Sequence, residues 1–199
     1  GAMMAMSPGV SLDAKMEGGL FKSLKRATLG GESLFITTYT APAQGGWVDV
    51  AANLPGDLVV TGVTSDQSMF IQRGSWICSS DGVTLETKWG GMQNLFGGEG
   101  GFVVHASGHG TVVLSCYGAL DTVSLQAGET FTLDAGHMVA YAEGIQLALR
   151  MASGGMARAI KSAEGLVFDF TGPGWVMTQS RNPQGLVDWL SANLPGQRA

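Results

Sequence analysis

The sequence predicts an all-β protein built from three copies of one β module. Three observations predict this class. Glycine is abundant, with 31 residues, and it supplies the positive φ angles that tight turns between short strands need. Charged residues make up 14% of the chain, compared with roughly 25% in an average soluble domain. Short β-rich patterns also recur three times in one consistent order, which is typical of repeat architectures.

The first recurring pattern is a strand, a turn that contains glycine, and a second strand. Segments 74–88 and 136–150 align without gaps, so that Asp81 matches Glu143. Residues 1–15 fit the same frame. Each copy is typical of a β-hairpin.

The second recurring pattern is a Gly/Glu turn that leads into an apolar, β-rich strand, with its glutamate at Glu32, Glu99 and Glu164. These glutamates either accept backbone N–H groups and close their turns, or form a polar ring for a cation or a basic partner; we favour the first interpretation. A shorter sequence similarity relates residues 54–60 to residues 125–131, and in each of these segments a turn precedes a strand.

Three sequential modules favour a closed, pseudo-threefold arrangement, because closure hides sheet edges that would otherwise associate. An open stack of three repeats is the alternative, and it would need caps. We predict a single β domain over residues 1–182, with modules at about 1–60, 61–127 and 128–182.

Two segments depart from the β pattern. Residues 20–29 contain no helix breaker and end at a glycine pair, which predicts a short helix with a glycine C-cap. Near the other end, Asn182 and Pro183 are a favourable N-cap and first helical residue, and we predict a helix near 183–193 within a tail of 183–199. Apolar residues then follow at helical spacing: Leu186, Val187, Leu190 and Leu194.

The bulk properties exclude several classes of function. A net charge of −5 and a pI of about 5.0 disfavour nucleic acid as a partner, since phosphate contacts need a basic face. The chain has two cysteines, Cys78 and Cys116, and we predict buried thiols in a reducing, cytoplasmic compartment. No apolar run is long enough to predict a membrane-spanning helix.

No catalytic constellation is visible in the sequence. His105 and His109 are four residues apart on a predicted strand, which would separate them by roughly 13 Å, and His137 lies in the next module. Cys116 has no histidine beside it and is predicted to be a core residue. We therefore predict that the protein is not an enzyme and has no cofactor, no metal and no catalytic residue.

The candidate interaction residues form two groups. The basic group lies on the predicted first helix and consists of Lys22, Lys25 and Arg26. This helix would face a membrane surface or a partner groove, or it would pack on the β body with its basic side in water. The apolar group lies in a loop without a counterpart in the other modules and predicts self-association: Trp89, Met92, Leu95 and Phe96.

Several separate motifs, in order along the chain, resemble a family of mitochondrial-biogenesis proteins named for altered inheritance of mitochondria, protein twenty-four. They are residues 18–26, 31–35, 54–57, 98–100, 115–119, 164–167 and 172–174, so the resemblance covers roughly residues 1–182. It implies a double-stranded-β-helix-like fold, similar to that of the tryptophan RNA-binding attenuation protein. It also implies no established enzymatic activity, and a link in eukaryotes to the organisation of the mitochondrial inner membrane. Family members have a further strand region before the first hairpin, so we expect the first module to be incomplete or completed by another segment.

These observations predict a cytoplasmic, non-enzymatic scaffold or interaction protein that forms a homo-oligomer. A protein partner or a membrane surface is expected at the basic helix. Two alternatives stay open. One is single-stranded RNA binding, by analogy of fold alone. The other is a cupin-like enzyme that binds a small molecule or a metal.

Overall fold

The computed structural model describes residues 2–16, 35–88, 103–152 and 166–194. The described residues are mostly β, as predicted, and they contain sixteen strands, two short 3-10 helices and one α-helix, α1 (Pro183–Asn193). The strands are β1 Met3–Met6, β2 Ser11–Met16, β3 Phe35–Thr40, β4 Val48–Val50, β5 Leu58–Val63, β6 Met69–Gln72, β7 Trp76–Ser79, β8 Val83–Lys88, β9 Val103–Gly108, β10 Gly110–Ser115, β11 Leu120–Leu125, β12 Thr130–Asp134, β13 Met138–Ala142, β14 Gln146–Met151, β15 Leu166–Thr171 and β16 Gly174–Gln179.

Strand pairing defines three four-stranded units, in each of which the first strand pairs with the fourth and the second with the third. Unit one is β1–β4, unit two is β7–β10, and unit three is β13–β16. Every pairing is antiparallel, and each ladder between a first and a fourth strand contains one shift of register. The pseudo-threefold arrangement of the modules, and their boundaries, stay predictions.

Strand β6 joins unit two to unit three. It pairs with β9 of unit two on one side and with β13 of unit three on the other. The result is a six-stranded sheet in the order β11-β16-β13-β6-β9-β8. The other sheets of the described residues are β5-β10-β7, β12-β15-β14, β1-β4 and β2-β3.

The predicted hairpins are wrong, although their strands and turns are present. β7 and β8 are consecutive, but β7 pairs with β10 and β8 pairs with β9. The same holds for β1 and β2 and for β13 and β14. A glycine turn followed by a strand looks the same in sequence whether the strand folds back or continues into another sheet. Here the turn is a corner that carries the chain from one sheet to another.

Two chain corners pack against each other in unit two, and glycine makes this possible. The His109 N–H donates to the Gly82 carbonyl at 2.9 Å. A Cβ atom at Gly82 would lie 2.1 Å from the His109 carbonyl oxygen, which is inside van der Waals contact. Gly108 has φ +100°, a conformation that favours glycine.

In units one and two, a serine hydroxyl oxygen accepts a backbone hydrogen bond that links the two corners. The Thr111 N–H donates to Ser80 Oγ at 2.9 Å, and the Trp47 N–H donates to Ser7 Oγ at 3.0 Å. Each serine stands two residues before the turn glycine of its unit. The bond satisfies a backbone group where the chain leaves one sheet for the next.

The hydrophobic core has two clusters. The larger one lies mainly between strands of unit two and β6, and its fully buried members include Val63, Met69, Ile71, Val104, Val112, Leu114 and Val139. The second lies mainly in unit three and is aromatic: Tyr141 lies 5.4 Å from Phe170, centroid to centroid, and Phe168 lies 5.8 Å from Phe170. Unit one contributes little to either cluster, with Ile36 packed against the first.

The C-terminal helix is confirmed, with the predicted cap. Asn182 accepts a hydrogen bond from the Gln184 N–H at 2.9 Å through its side chain, and Pro183 occupies the first turn. The helix predicted at residues 20–29 lies outside the described residues.

The Gly82→Ala substitution should lower the free energy of unfolding by about 1–3 kcal/mol, because the new methyl group overlaps the His109 carbonyl. Urea denaturation measures this change. Gly144 is the matched control: it aligns with Gly82 in unit three, and a Cβ atom there meets nothing within 4 Å. Equal stability of Gly82→Ala and Gly144→Ala would contradict the packed corner.

The free energy of unfolding should fall in alkaline solution because Tyr141 is buried. Burial raises the pKa of Tyr141 to about 12, from an ordinary value of 10.0. Between these pH values the unfolded chain loses the phenol proton and the folded chain keeps it, so ionisation favours the unfolded state. Denaturation at pH 9 and pH 11.5 should show lower stability at the higher pH, and Tyr141→Phe should reduce that loss. An equal loss in both proteins would show that Tyr141 is not the cause.

Candidate binding sites and the junction between units

The segment that follows β10 is held on both sides by backbone hydrogen bonds. On one side, the Gly118 N–H donates to the Pro55 carbonyl at 3.0 Å, and the Asp57 N–H donates to the Gly118 carbonyl at 2.9 Å. On the other side, the Arg181 N–H donates to the Tyr117 carbonyl at 3.2 Å. The segment therefore ties the chain that enters β5 to the chain that leaves β16. We call this arrangement the junction.

Two glycines allow the chains of the junction to approach closely. A Cβ atom at Gly56 would lie 2.0 Å from the Cys116 carbonyl oxygen, and one at Gly118 would lie 2.4 Å from Ser180 Oγ. Gly118 also has φ +84°. These glycines belong to the motifs at residues 54–57 and 115–119, which are far apart in sequence and in contact here.

Gln179, the last residue of β16, is the buried polar side chain of the junction. It is 5% exposed. Its Oε1 atom accepts from the Tyr117 N–H at 2.8 Å, and its Nε2 atom donates to the Gly136 carbonyl at 2.9 Å. One amide thus satisfies two backbone groups that sit far apart in sequence. The Nδ1 atom of His137 lies 2.7 Å from the Gln179 carbonyl oxygen.

A cavity of about 550 Å³ opens beside the junction, within the size range of small-molecule sites. Ser115 and Gln179, the last residues of β10 and β16, line it together with Ala51, which follows β4. Trp76 also lines it, and the buried Nε1 atom of this indole has no hydrogen-bond partner. The described residues that line the cavity carry no charge, so they suit uncharged groups.

Both cysteines are free thiols, and they differ in exposure. Cys116 is buried, as predicted, whereas Cys78 is only partly buried. Burial raises the pKa of both thiols. Cys116 Sγ donates to the Gly118 carbonyl at 3.2 Å, inside the junction. A thiol held in its neutral form is a poor nucleophile.

His105 is buried between two glutamates. The residue is 6% exposed on β9, and its ring lies 4.9 Å from the Phe70 ring. Its Nε2 atom lies 3.0 Å from Glu143 Oε1, and its Nδ1 atom lies 4.0 Å from Glu86 Oε2. Neither ring nitrogen forms a hydrogen bond of acceptable geometry.

The other two histidines stand in different surroundings. His109 is exposed at the corner between β9 and β10, and His137 contacts Gln179. Within the described ranges, no three His, Cys, Asp or Glu side chains converge in a way that could hold a metal ion.

Several large apolar side chains are exposed. No residue of α1 is buried, and Val187, Trp189 and the adjoining C-cap residue Leu194 are each more than half exposed. Others lie on the surface of unit one and on β5: Met3, Met4, Leu12, Trp47, Leu58 and Val60. Large exposed apolar side chains mark contact surfaces when they cluster.

All seven candidate interaction residues lie outside the described residues: Lys22, Lys25, Arg26, Trp89, Met92, Leu95 and Phe96. The recurring glutamates Glu32, Glu99 and Glu164 also lie outside them. Sequence reasoning did not find Gln179 or the contact between His105 and Glu143. No local signal marks either one, because both depend on strands that are distant in sequence.

Among the residues that the structure describes, no helix is both long and apolar enough to span a membrane.

Comparison with models of protein families identifies one family. The sequence model of the family described as "Mitochondrial biogenesis AIM24" matches residues 1–181. An uncharacterized protein from Streptococcus pyogenes serotype M6 is 29% identical over 206 residues, which cover 98% of this chain and 80% of that protein. A crystal structure of a protein from Streptococcus pyogenes superimposes with a TM-score of 0.81 and 25% identity, covering 98% of this chain and 87% of the other.

Replacing Gln179 with leucine should destabilise the protein by about 1–3 kcal/mol, because it leaves the Tyr117 N–H and the Gly136 carbonyl without partners. Urea denaturation is again the measurement. Gln146→Leu, on the exposed side of β14, is the matched control and should be close to neutral. If both substitutions cost the same, the Gln179 hydrogen bonds do not hold the junction.

Proposed function

The chain belongs to the mitochondrial biogenesis AIM24 family, and we propose that it acts as a non-enzymatic scaffold whose subunits assemble through exposed apolar side chains. The relatives found have no established biochemical role. The observation that carries the proposal is α1, an apolar helix in which no residue is buried by the rest of the chain.

The leucine and valine residues of α1, together with Leu194 just after its last residue, lie on one side of the helix. Four of them fall within about 100° of one another at 100° per residue: Leu186, Val187, Leu190 and Leu194. Val187 and Leu194 are exposed, and Leu186 and Leu190 are only partly buried. An isolated helix of 11 residues is marginal in water and depends on burial of its apolar face.

The occupant of this face is a second copy of the same chain. The face carries no charge, and Asp188 is the one charged residue of the helix. An apolar face without charge is self-complementary, and symmetric oligomers bury the same patch on each subunit. One helix provides less than the roughly 800 Å² per partner of a standard interface. The exposed apolar residues of unit one and β5 supply further area for such contacts.

We also propose that the scaffold works in the cytoplasm. Cys78 and Cys116 are both free thiols, and Cys116 Sγ donates a hydrogen bond to the Gly118 carbonyl within the junction. Free thiols persist in a reducing compartment.

The Val187→Lys substitution should lower the oligomeric state, because it places a charge on the face that the second copy covers. Light scattering coupled to size-exclusion chromatography, over a concentration series of the full chain, measures the mass. Ala192→Lys adds the same charge at an exposed position on the other side of α1 and should leave the mass unchanged.

A monomeric wild-type chain at all concentrations would overturn the scaffold proposal. If the wild type is an oligomer that survives Val187→Lys, assembly uses another surface. The Trp89→Ala, Phe96→Ala double variant then tests, in the same measurement, the apolar group predicted from the sequence to drive self-association.

A further inference from the structure

The cavity of about 550 Å³ beside the junction brings together most of the buried polar side chains that the structure describes. Of the four buried polar residues in the described ranges, three line it, and His105 is the fourth. These three are Ser75, Ser115 and Gln179. We propose that this cavity binds a neutral monosaccharide through the Ser75 and Ser115 hydroxyls. The proposal goes beyond the scaffold function and does not depend on it.

The two serine hydroxyls differ from the Gln179 amide in having no partner. Gln179 bonds to the Tyr117 N–H and to the Gly136 carbonyl. In the part of the chain that the structure describes, neither the Ser75 nor the Ser115 hydroxyl forms a hydrogen bond. Buried polar groups cost stability when they lack partners, so both hydroxyls have unused capacity for a bound molecule.

Both hydroxyls open into the cavity. Among the described residues, the side-chain polar atoms that are fully enclosed without a partner are Trp76 Nε1 and the two ring nitrogens of His105. The serine hydroxyl oxygens also lack partners, but they are not fully enclosed. Ser75 is 3% exposed and Ser115 is 7% exposed, and both line the cavity. The cavity is therefore the space that each hydroxyl can reach.

The pairing of β7 with β10 places the two serines next to each other. Leu114 of β10 pairs with Trp76 of β7 in an antiparallel ladder. Ser115 is the next residue on one chain and Ser75 is the next on the other, so the two serines stand together at the end of this ladder. Opposite residues of an antiparallel pair project to the same side of the sheet. One small molecule can therefore contact both hydroxyls.

The chemistry of the lining selects a neutral ligand that carries hydroxyl groups. The described residues that line the cavity carry no charge, so a carboxylate or phosphate would be buried there without a cationic partner. A serine hydroxyl donates one hydrogen bond and accepts others, and it is best matched by a group that also does both. The hydroxyl groups of a sugar have this property, whereas a carbonyl oxygen only accepts.

The remaining walls suit the faces of a pyranose ring. Leu54, Trp76 and Ile77 line the same cavity. A pyranose ring carries hydroxyl groups around its edge and C–H groups on its faces, so it can meet the serines and these apolar side chains together. A cavity of this volume lies in the size range of small-molecule sites and is far larger than one water molecule needs.

Saturation-transfer NMR of the full chain with D-glucose, D-galactose and D-mannose tests the proposal. Isothermal titration then gives the affinity of each sugar that binds. The charged comparison is D-glucuronate, which has the ring of glucose with a carboxylate in place of the primary alcohol. We expect saturable binding of at least one of the three hexoses and none of D-glucuronate.

The Ser75→Ala, Ser115→Ala double variant should bind the hexose about tenfold more weakly, because it removes two hydrogen bonds to the sugar. It should unfold at the temperature of the wild type, since neither hydroxyl has a partner in the described chain. The matched control is the Ser65→Ala, Ser124→Ala double variant, which removes two exposed hydroxyls outside the cavity. It should bind the hexose like the wild type.

A second variant keeps the test decisive if the first double variant does not fold. Ala51 is exposed and lines the cavity, so Ala51→Trp adds bulk there and leaves both serine hydroxyls in place. It should abolish binding of the hexose. Circular dichroism and thermal unfolding verify that each variant folds.

Four results would overturn the proposal. If folded wild-type protein binds none of the three hexoses, the cavity holds water only. If D-glucuronate binds as well as the hexose, the uncharged lining does not select the ligand. If the two double variants weaken binding equally, the effect does not belong to the cavity serines. If binding survives Ala51→Trp, the sugar binds elsewhere.

Discussion

The structure depends on the junction, where the backbone after β10 is bonded to two distant parts of the chain. Gly118 exchanges hydrogen bonds with Pro55 and Asp57 on one side, and Tyr117 bonds to Arg181 on the other. These contacts require chains to approach more closely than a Cβ atom allows at Gly56 and Gly118. The buried amide of Gln179 completes the junction, because it satisfies backbone groups that no strand pairing reaches.

The rest of the fold follows from how chain corners meet. In each unit the first and second strands lie in different sheets and are joined at a corner. The fourth strand pairs with the first, and the third strand pairs with the second. In unit two the corners touch at Gly82 and His109. Ser115 and Gln179, at the ends of β10 and β16, line the cavity, and the Gln179 side chain is fixed there by its hydrogen bonds. Unit one adds few side chains to the core and leaves apolar residues exposed. Assembly is assigned to α1, which is capped by Asn182 beside the junction and has no buried residue.

The sequence by itself determined the all-β class, the family and the C-terminal helix, because turn glycines, β-rich strands, family motifs and the Asn182–Pro183 cap are local signals. Only the tertiary structure decided which strands pair: the glycine turn before β8 looks like a hairpin, yet β8 pairs with β9. It also decided that the Gln179 amide bonds two backbone groups, that His105 contacts Glu143, and that no residue of α1 is buried. The physical reason is that a pairing partner, a buried hydrogen bond and an exposed face are set by residues far away in the sequence, and no local pattern records them.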